Sequence, residues 1–240
     1  ATANAIIRSG AIPVFVDSEA LSWNMDRNKI EAKINSRTKA IMAVHIYGAE
    51  CDINYIKCLA KKFGIFLIED CAEAIGTSVG GQMVGTFGDV STFSFFGNKT
   101  ITTGEGGMVC SQNSKTIELA HHLKSQAVSK EREYWHDDVG YNFRMTNVQA
   151  AIGLSQIEMA DEILEKKQLV YEQYNALLSN SSIEFQGCSE DCFHSRWMVA
   201  FQLKSKPTVQ KVRAVLKKNG IETRPTFPLV SDFKMYEQYA

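Results

Sequence analysis

Two apolar strands enclosing one amphipathic helix constrain this chain more than any other feature. "KAIMAVHI" at 39–46 and "IFLIED" at 65–70 carry apolar residues on both faces, and "DINYIKCLAKKFG" at 52–64 lies between them. A strand without alternation must be covered on both sides, and strands joined through a helix pair in parallel. In the helix, Ile53, Ile56, Leu59 and Ala60 share one face, Asp52 is the expected cap and Gly64 the stop. A strand-like "IPVFVD" at 12–17 and a helix-like "DRNKIEAKIN" at 26–35 precede this unit. The alternation predicts a parallel sheet inside a three-layer α/β sandwich spanning residues 1–145.

The pattern changes near residue 145. From Met145 to Ser179 the chain runs without proline, with apolar residues at Val148, Ala151, Ile152, Ile157, Ile163 and Leu164. The spacing predicts a long connecting helix over 146–180, broken once near Gly153 or Asp161. Beyond it, "SIEFQ", "SRWMVAFQL", a helix in "PTVQKVRAVLKKNG" and "IETRPTFPLV" suggest a partial, smaller α+β domain over 181–240. The chain opens as though in the last turns of a helix stopped at Gly10, with no initiator Met, and reads as an internal fragment.

The 26 basic and 27 acidic side chains nearly cancel and form no long runs, so charge points to no nucleic-acid partner. Apolar runs such as Gly64–Ile68 fall far short of the roughly 20 residues that cross a bilayer. Six cysteines in a chain of 240 residues are not needed as staples. Cys71 and Cys110 read as reduced residues in or beside apolar strands, as suits a cytoplasmic protein. Cys188 and Cys192, with His194 close by, lack a matching second ligand pair and read as loop thiols, so no metal is expected. The pair His121 and His122 points to two faces of a helix.

In open α/β sheets ligands sit outside the carboxyl ends of the strands. "IFLIED" delivers Asp70 there, and "STFSFF" delivers Lys99 through a Gly-Asn turn. Taken alone, these two residues fit a structural salt bridge or an exposed turn lysine better than a catalytic pair. The residues around them add chemistry. Ser94 precedes Lys99, and Thr100, Thr102, Thr103 and several glycines follow it, so hydroxyls and N–H groups can converge on an anion. An amine, a carboxylate and an anion cradle are the parts that pyridoxal phosphate chemistry uses.

Five segments, "FVD" at 15–17, "AIMAVHIYG" at 40–48, "LIEDCAEAIG" at 67–76, "GTFGDVSTFSFFGNKTITTGEGGMV" at 85–109 and "GYNFRMTNVQAAIGLSQ" at 140–156, carry a resemblance over essentially the whole chain. It resembles the DegT/DnrJ/EryC1/StrS family of sugar aminotransferases dependent on pyridoxal 5'-phosphate. The resemblance implies the aspartate-aminotransferase-like fold, fold type I. It implies that Lys99 binds the cofactor and carries the proton, that Asp70 partners the ring nitrogen, and that Glu73 lies near the ring face. Ser94 then matches a phosphate ligand. Asn142 matches an asparagine that reaches the neighbouring subunit's cofactor, which implies a homodimer with shared active sites.

His136 in "YWHD" and Arg224 in "ETRPTF" resemble segments near the sugar-nucleotide site, although a backbone-bonded loop histidine and a surface ion pair account for them equally well. His45 reads as a packed structural residue. The implied reaction takes an amino group from L-glutamate to the 4-keto carbon of a nucleotide-linked 4-keto-6-deoxy sugar, GDP-4-keto-6-deoxymannose first among them, for lipopolysaccharide O-antigen. Alternatives are a dehydratase of the same fold, which has histidine where this chain has Lys99, and a non-catalytic regulator. The family also has a preceding segment with a Gly-Thr phosphate loop and an aromatic residue that stacks on the cofactor.

Overall fold

The computed structural model describes residues 1–179, 182–203 and 208–239. Helix α1 (Thr2–Arg8) is followed by an irregular stretch, a short helix α2 (Arg27–Ile30) capped by Asp26, and a 3-10 turn at Glu31–Lys33. Strand β1 (Ala40–Val44), helix α3 (Ile53–Phe63) and strand β2 (Phe66–Asp70) form the expected crossover unit. Asp52 caps α3 by accepting from Tyr55 N, and Gly64 ends it in the left-handed region at φ 63°. A hairpin, β3 (Ser78–Val79) and β4 (Gln82–Met83), leads to β5 (Val90–Ser94) and β6 (Gly107–Cys110).

The main sheet has the order β1-β2-β5-β6. The first three strands are parallel and β6 is an antiparallel edge, paired from Ser91↔Cys110 to Ser94↔Gly107. Helix α3 packs Ile53, Ile56, Leu59 and Ala60 onto this sheet with Ile41, Ala43 and Leu67. Each fully buried aliphatic side chain contributes roughly 1.5–3 kcal/mol.

Residues 12–17 have no regular secondary structure and pair with no strand among the described residues, so the expected strand is not formed there. A strand is defined by its ladder, and here Ile12 and Val14 remain exposed. Helix α2 is likewise shorter than the expected 26–35, because Ile34 already has extended backbone.

Helix α4 (Ser114–Lys124) is followed by an irregular excursion and then by α5 (Asn147–Glu158) and α6 (Ala160–Leu178). Thr146 and Gln149 close a capping box on α5. The break between α5 and α6 falls at Met159 (φ −105°, ψ 10°), two residues before Asp161, and α5 runs unbroken through Gly153. Strand β7 (Ile183–Phe185) pairs with β9 (Phe201–Leu203), while β8 (Cys192–Phe193) returns to pair with β3. "SRWMVAFQL" is thus a strand only at its end; Ser195 to Trp197 are held by side-chain bonds instead. Helix α7 (Thr208–Lys218) follows, and the ends of the expected elements at 180–181, 204–207 and 240 lie outside the described residues.

Candidate active site

The register Val44↔Asp70↔Thr92 brings the carboxyl ends of β1, β2 and β5 level. Three hydrogen bonds fix Asp70 there. Its backbone carbonyl accepts from His45 N, Oδ1 accepts from Ala72 N at 3.1 Å, and Oδ2 accepts from the Thr2 hydroxyl at 2.6 Å. Thr2 lies 68 residues away in a stretch with no motif, so sequence reading passed over it.

Beneath this edge the sheet is locked by a buried network. Glu69 is fully buried beside Asp70 and accepts from Gly85 N (2.7 Å), Phe87 N (2.9 Å) and Gly88 N (2.6 Å), and it bonds His45 Nε2 at 3.2 Å. Burial pushes the Glu69 carboxyl up, but the His45 ring and the N–H groups outweigh it and hold it below the ordinary range. His45 Nδ1 accepts from Cys51 N, which leaves Nε2 as the protonated nitrogen facing Glu69. His45 is therefore structural, as its sequence context suggested.

After β5 the chain turns. Lys99 N donates to Phe96 O, while Phe95 and Thr103 clasp the base of the loop through Phe95 N to Gly106 O and Thr103 N to Phe95 O. Gly106, at φ 147°, holds a backbone conformation that other residues rarely adopt. Helix α5 braces the loop from outside, with Gln156 accepting from Thr102 N and Gln149 donating to Glu105 O.

Within this frame the Lys99 amine lies 3.5 Å from Glu73 Oε1, both side chains being 12% exposed, and 4.1 Å from the centre of the Trp197 ring. The ion pair that two strand ends suggested between Asp70 and Lys99 is thus made with Glu73 instead, and Asp70 turns to Thr2. The other Glu73 oxygen accepts from Tyr47 N at 2.8 Å. Burial pushes the Glu73 carboxyl above its ordinary range, against the pull of Tyr47 N–H and Lys99.

Trp197 is anchored by Nε1 to Asn98 O at 2.8 Å and lies parallel to Tyr47 at 6.0 Å. Tyr47, in the left-handed region at φ 55°, stacks in turn on Phe227 at 5.0 Å, and its hydroxyl accepts from Phe227 N. This aromatic row closes one side of the amine. None of its members was singled out from sequence, because each arrives from a distant segment.

The expected anion cradle is only partly present. Thr102 and Thr103 donate their hydroxyls to Phe95 O and Glu105 O inside the loop, so they are spent on its shape. Ser94 Oγ accepts from Phe96 N, and among the described residues its own hydrogen has no acceptor. The buried Thr100 hydroxyl beside Lys99 has no partner there either.

His136 and Asn142 come together, lining one cleft of about 480 Å³ with Gln126, Asp138, Val139 and Gly140. His136 Nδ1 is bonded to Gln126 O at 2.7 Å, so the backbone-bonded reading of this histidine holds alongside its place in the cleft. The cleft depends on close backbone contact: a Cβ on Gly140 would fall 2.3 Å from Ala127 N. Arg224 is exposed and, among the described residues, reaches only Glu222, at 3.5 Å; its segment meets the aromatic row three residues later, at Phe227.

The sequence profile of the DegT/DnrJ/EryC1/StrS aminotransferase family matches residues 1–240. The chain is 48% identical over 238 residues to a GDP-perosamine synthase of Escherichia coli O157:H7, covering 99% of this chain and 65% of that protein. It is 47% identical over 242 residues to a GDP-perosamine synthase of Vibrio cholerae, covering 100% and 66%. Among solved structures, the aminotransferase TlmJ from Streptoalloteichus hindustanus superposes with a TM-score of 0.91 at 27% identity, over 98% of this chain and 64% of that one. PseC of Helicobacter pylori, an aminotransferase in pseudoaminic acid biosynthesis, gives 0.90 at 27%, over 99% and 65%. The chain spans slightly less than two thirds of the length of these relatives, and the α/β fold is that of the fold type I sugar aminotransferases.

Proposed function

Because the chain belongs to the DegT/DnrJ/EryC1/StrS aminotransferase family, we propose that the protein containing it is an aminotransferase dependent on pyridoxal 5'-phosphate. It moves an amino group from L-glutamate to the 4-keto carbon of GDP-4-keto-6-deoxymannose, giving GDP-perosamine. The observation that carries the reading is the Lys99 amine, held 3.5 Å from Glu73 at the sheet edge where Asp70 ends β2. The choice of sugar follows the names of the relatives that are 47–48% identical.

When bound, pyridoxal phosphate supplies an aldehyde for the amines and a ring that takes up the electron pair released at the substrate carbon. The residues present fit it. Lys99 offers the primary amine, Asp70 the carboxylate for a protonated ring nitrogen, and Ser94 a free hydroxyl hydrogen for phosphate, with the unpartnered Thr100 hydroxyl close by in sequence. Lys99 then acts as the base and acid that moves the proton at the substrate carbon. Glu73 exchanges protons with Lys99, and the Trp197 ring keeps water from one side of the amine. His136 and Arg224 serve the nucleotide-sugar side, an arginine being suited to two-point pairing with a diphosphate.

Asn142 completes the partner subunit's site in a homodimer, and the enzyme works in the cytoplasm, for O-antigen assembly. No helix among the described residues is long and apolar enough to cross a membrane. The test offers the full-length protein GDP-, UDP- and dTDP-linked 4-keto-6-deoxy sugars with glutamate, products being identified by mass. Amination of the GDP sugar first supports the reading; preferential turnover of another nucleotide, or a 3-deoxy product, contradicts it.

A further inference from the structure

Glu50, Cys188 and Cys192 lie together although 138 residues separate the first two in sequence. One ligand atom from each, a carboxylate oxygen and the two sulfurs, lies within 4.8 Å of the others. Glu50 is only 6% exposed. Its Oε1 accepts from Ser189 N at 2.8 Å, while its buried Oε2 makes no well-aligned hydrogen bond, and the Cys192 thiol is the donor that comes within reach of the carboxylate. A buried carboxylate oxygen left unpaired is costly unless a cation or donor meets it. Arg196 does not serve: its Nη1 bonds Gln186 O and its guanidinium lies over the Tyr171 ring.

We propose that these three side chains bind one thiophilic divalent cation, with zinc as its type. Zinc accepts carboxylate oxygen at about 2.1 Å and thiolate sulfur at about 2.3 Å in tetrahedral array, which sets neighbouring ligand atoms about 3.6–3.8 Å apart. The three ligand atoms, within 4.8 Å of one another, would have to draw together to reach that range. Binding releases the two thiol protons to solvent, and a water fills the fourth position on the half-buried cysteine side.

The ligand set differs from the one the sequence brings to mind. His194 turns away to Gln186 Oε1, and the third ligand comes from the loop after β1. A second cluster, His45, Glu69 and Cys71, has equally close ligand atoms. There both Glu69 oxygens are already satisfied by backbone N–H groups and the ring, so it calls for no cation.

Position gives the site a purpose. Cys192 is in β8, opposite Val79 of β3, and Ser195, three residues on, shares hydrogen bonds with Thr77. A cation at Glu50 would pin the segment that carries Trp197 to the Lys99 amine.

The test uses the full-length protein, expressed with zinc and desalted under reducing conditions. Elemental analysis is expected to give one zinc per chain, falling at least tenfold in the double variant Cys188→Ser, Cys192→Ser. Glu50→Gln, which preserves shape and the Ser189 bond, is expected to weaken zinc at least tenfold in chelator competition. Should the double variant not fold, cobalt added to the wild type and to Glu50→Gln still decides: a thiolate-to-cobalt absorption band appears, and the variant needs at least tenfold more cobalt to reach it. Zinc at background in the wild type, equal zinc in a folded double variant, or unchanged affinity in Glu50→Gln would overturn the proposal. So would an intact mass showing Cys188 and Cys192 joined as a disulfide under the same reducing conditions.

Discussion

Glu73 and Lys99 form a largely buried ion pair 3.5 Å long, whose carboxylate is anchored by Tyr47 N and whose amine faces the Trp197 ring. Each partner is set by a different strand end, so the pair reports on the register of the whole sheet edge.

Burial raises the Glu73 carboxyl above its unfolded value, so the folded chain holds this proton more tightly. Its contribution to stability is present at low pH and is lost as pH rises from about 4.3 through the raised value. Glu73→Gln keeps an acceptor for Tyr47 N and removes the titration. Urea unfolding followed from acid to neutral pH is expected to show the variant gaining stability relative to the wild type as pH rises through that window.

Glu69 is predicted to behave in the opposite sense. Burial raises its carboxyl, but the His45 ring and the Gly85 and Gly88 N–H groups prevail and lower it. Its contribution is present above the unfolded value and is lost as pH falls through the lowered one. Glu69→Gln turns an amide group toward N–H donors. The expected loss is at least about 2 kcal/mol at neutral pH, with a weaker acid dependence, measured by the same denaturation series.

Trp197 offers a test of the aromatic row. Trp197→Ala removes a buried ring and is expected to cost about 3–5 kcal/mol. Trp197→Phe keeps an aromatic face but loses the bond to Asn98 O, and is expected to cost on the order of 1 kcal/mol from that bond. Equal losses for the two would show that the ring face contributes nothing.

At Gly140 the limit is steric. A methyl group would meet the Ala127 and Gln126 backbone at 2.3 and 2.4 Å, and backbone cannot move aside as a side chain can. Gly140→Ala is expected to lower stability by about 1–3 kcal/mol and to disturb the cleft of His136 and Asn142. Thermal denaturation, with hydrogen exchange over residues 126–142, checks both.

These residues also mark how far the sequence could be read. Helix α3 was legible because its apolar face, its Asp52 cap and its Gly64 stop are local and agree. The parallel strands followed from apolar runs too short for helices. Residues 12–17 have the right composition for a strand, but composition does not supply a ladder partner. Lys99 and Asp70 were visible because strand ends are positions with meaning. The partner of Lys99 was not, since Glu73 and Asp70 are both acidic residues close to the same strand end. Glu69 carried a usable signal that went unread: it shares a strand face with buried Leu67, so a carboxylate there needed donors. Thr2, Trp197 and Phe227 carried none, because their contacts span 68 to 180 residues of chain.

The central claim is that Lys99 is the amine that receives the cofactor. The most direct measurement incubates the full-length protein with pyridoxal phosphate, reduces it with borohydride, and maps the labelled lysine by peptide mass spectrometry. The label is expected on Lys99, with none on that peptide in Lys99→Ala and no amination by that variant. A label confined to another lysine, or amination by Lys99→Ala at the wild-type rate, would contradict it.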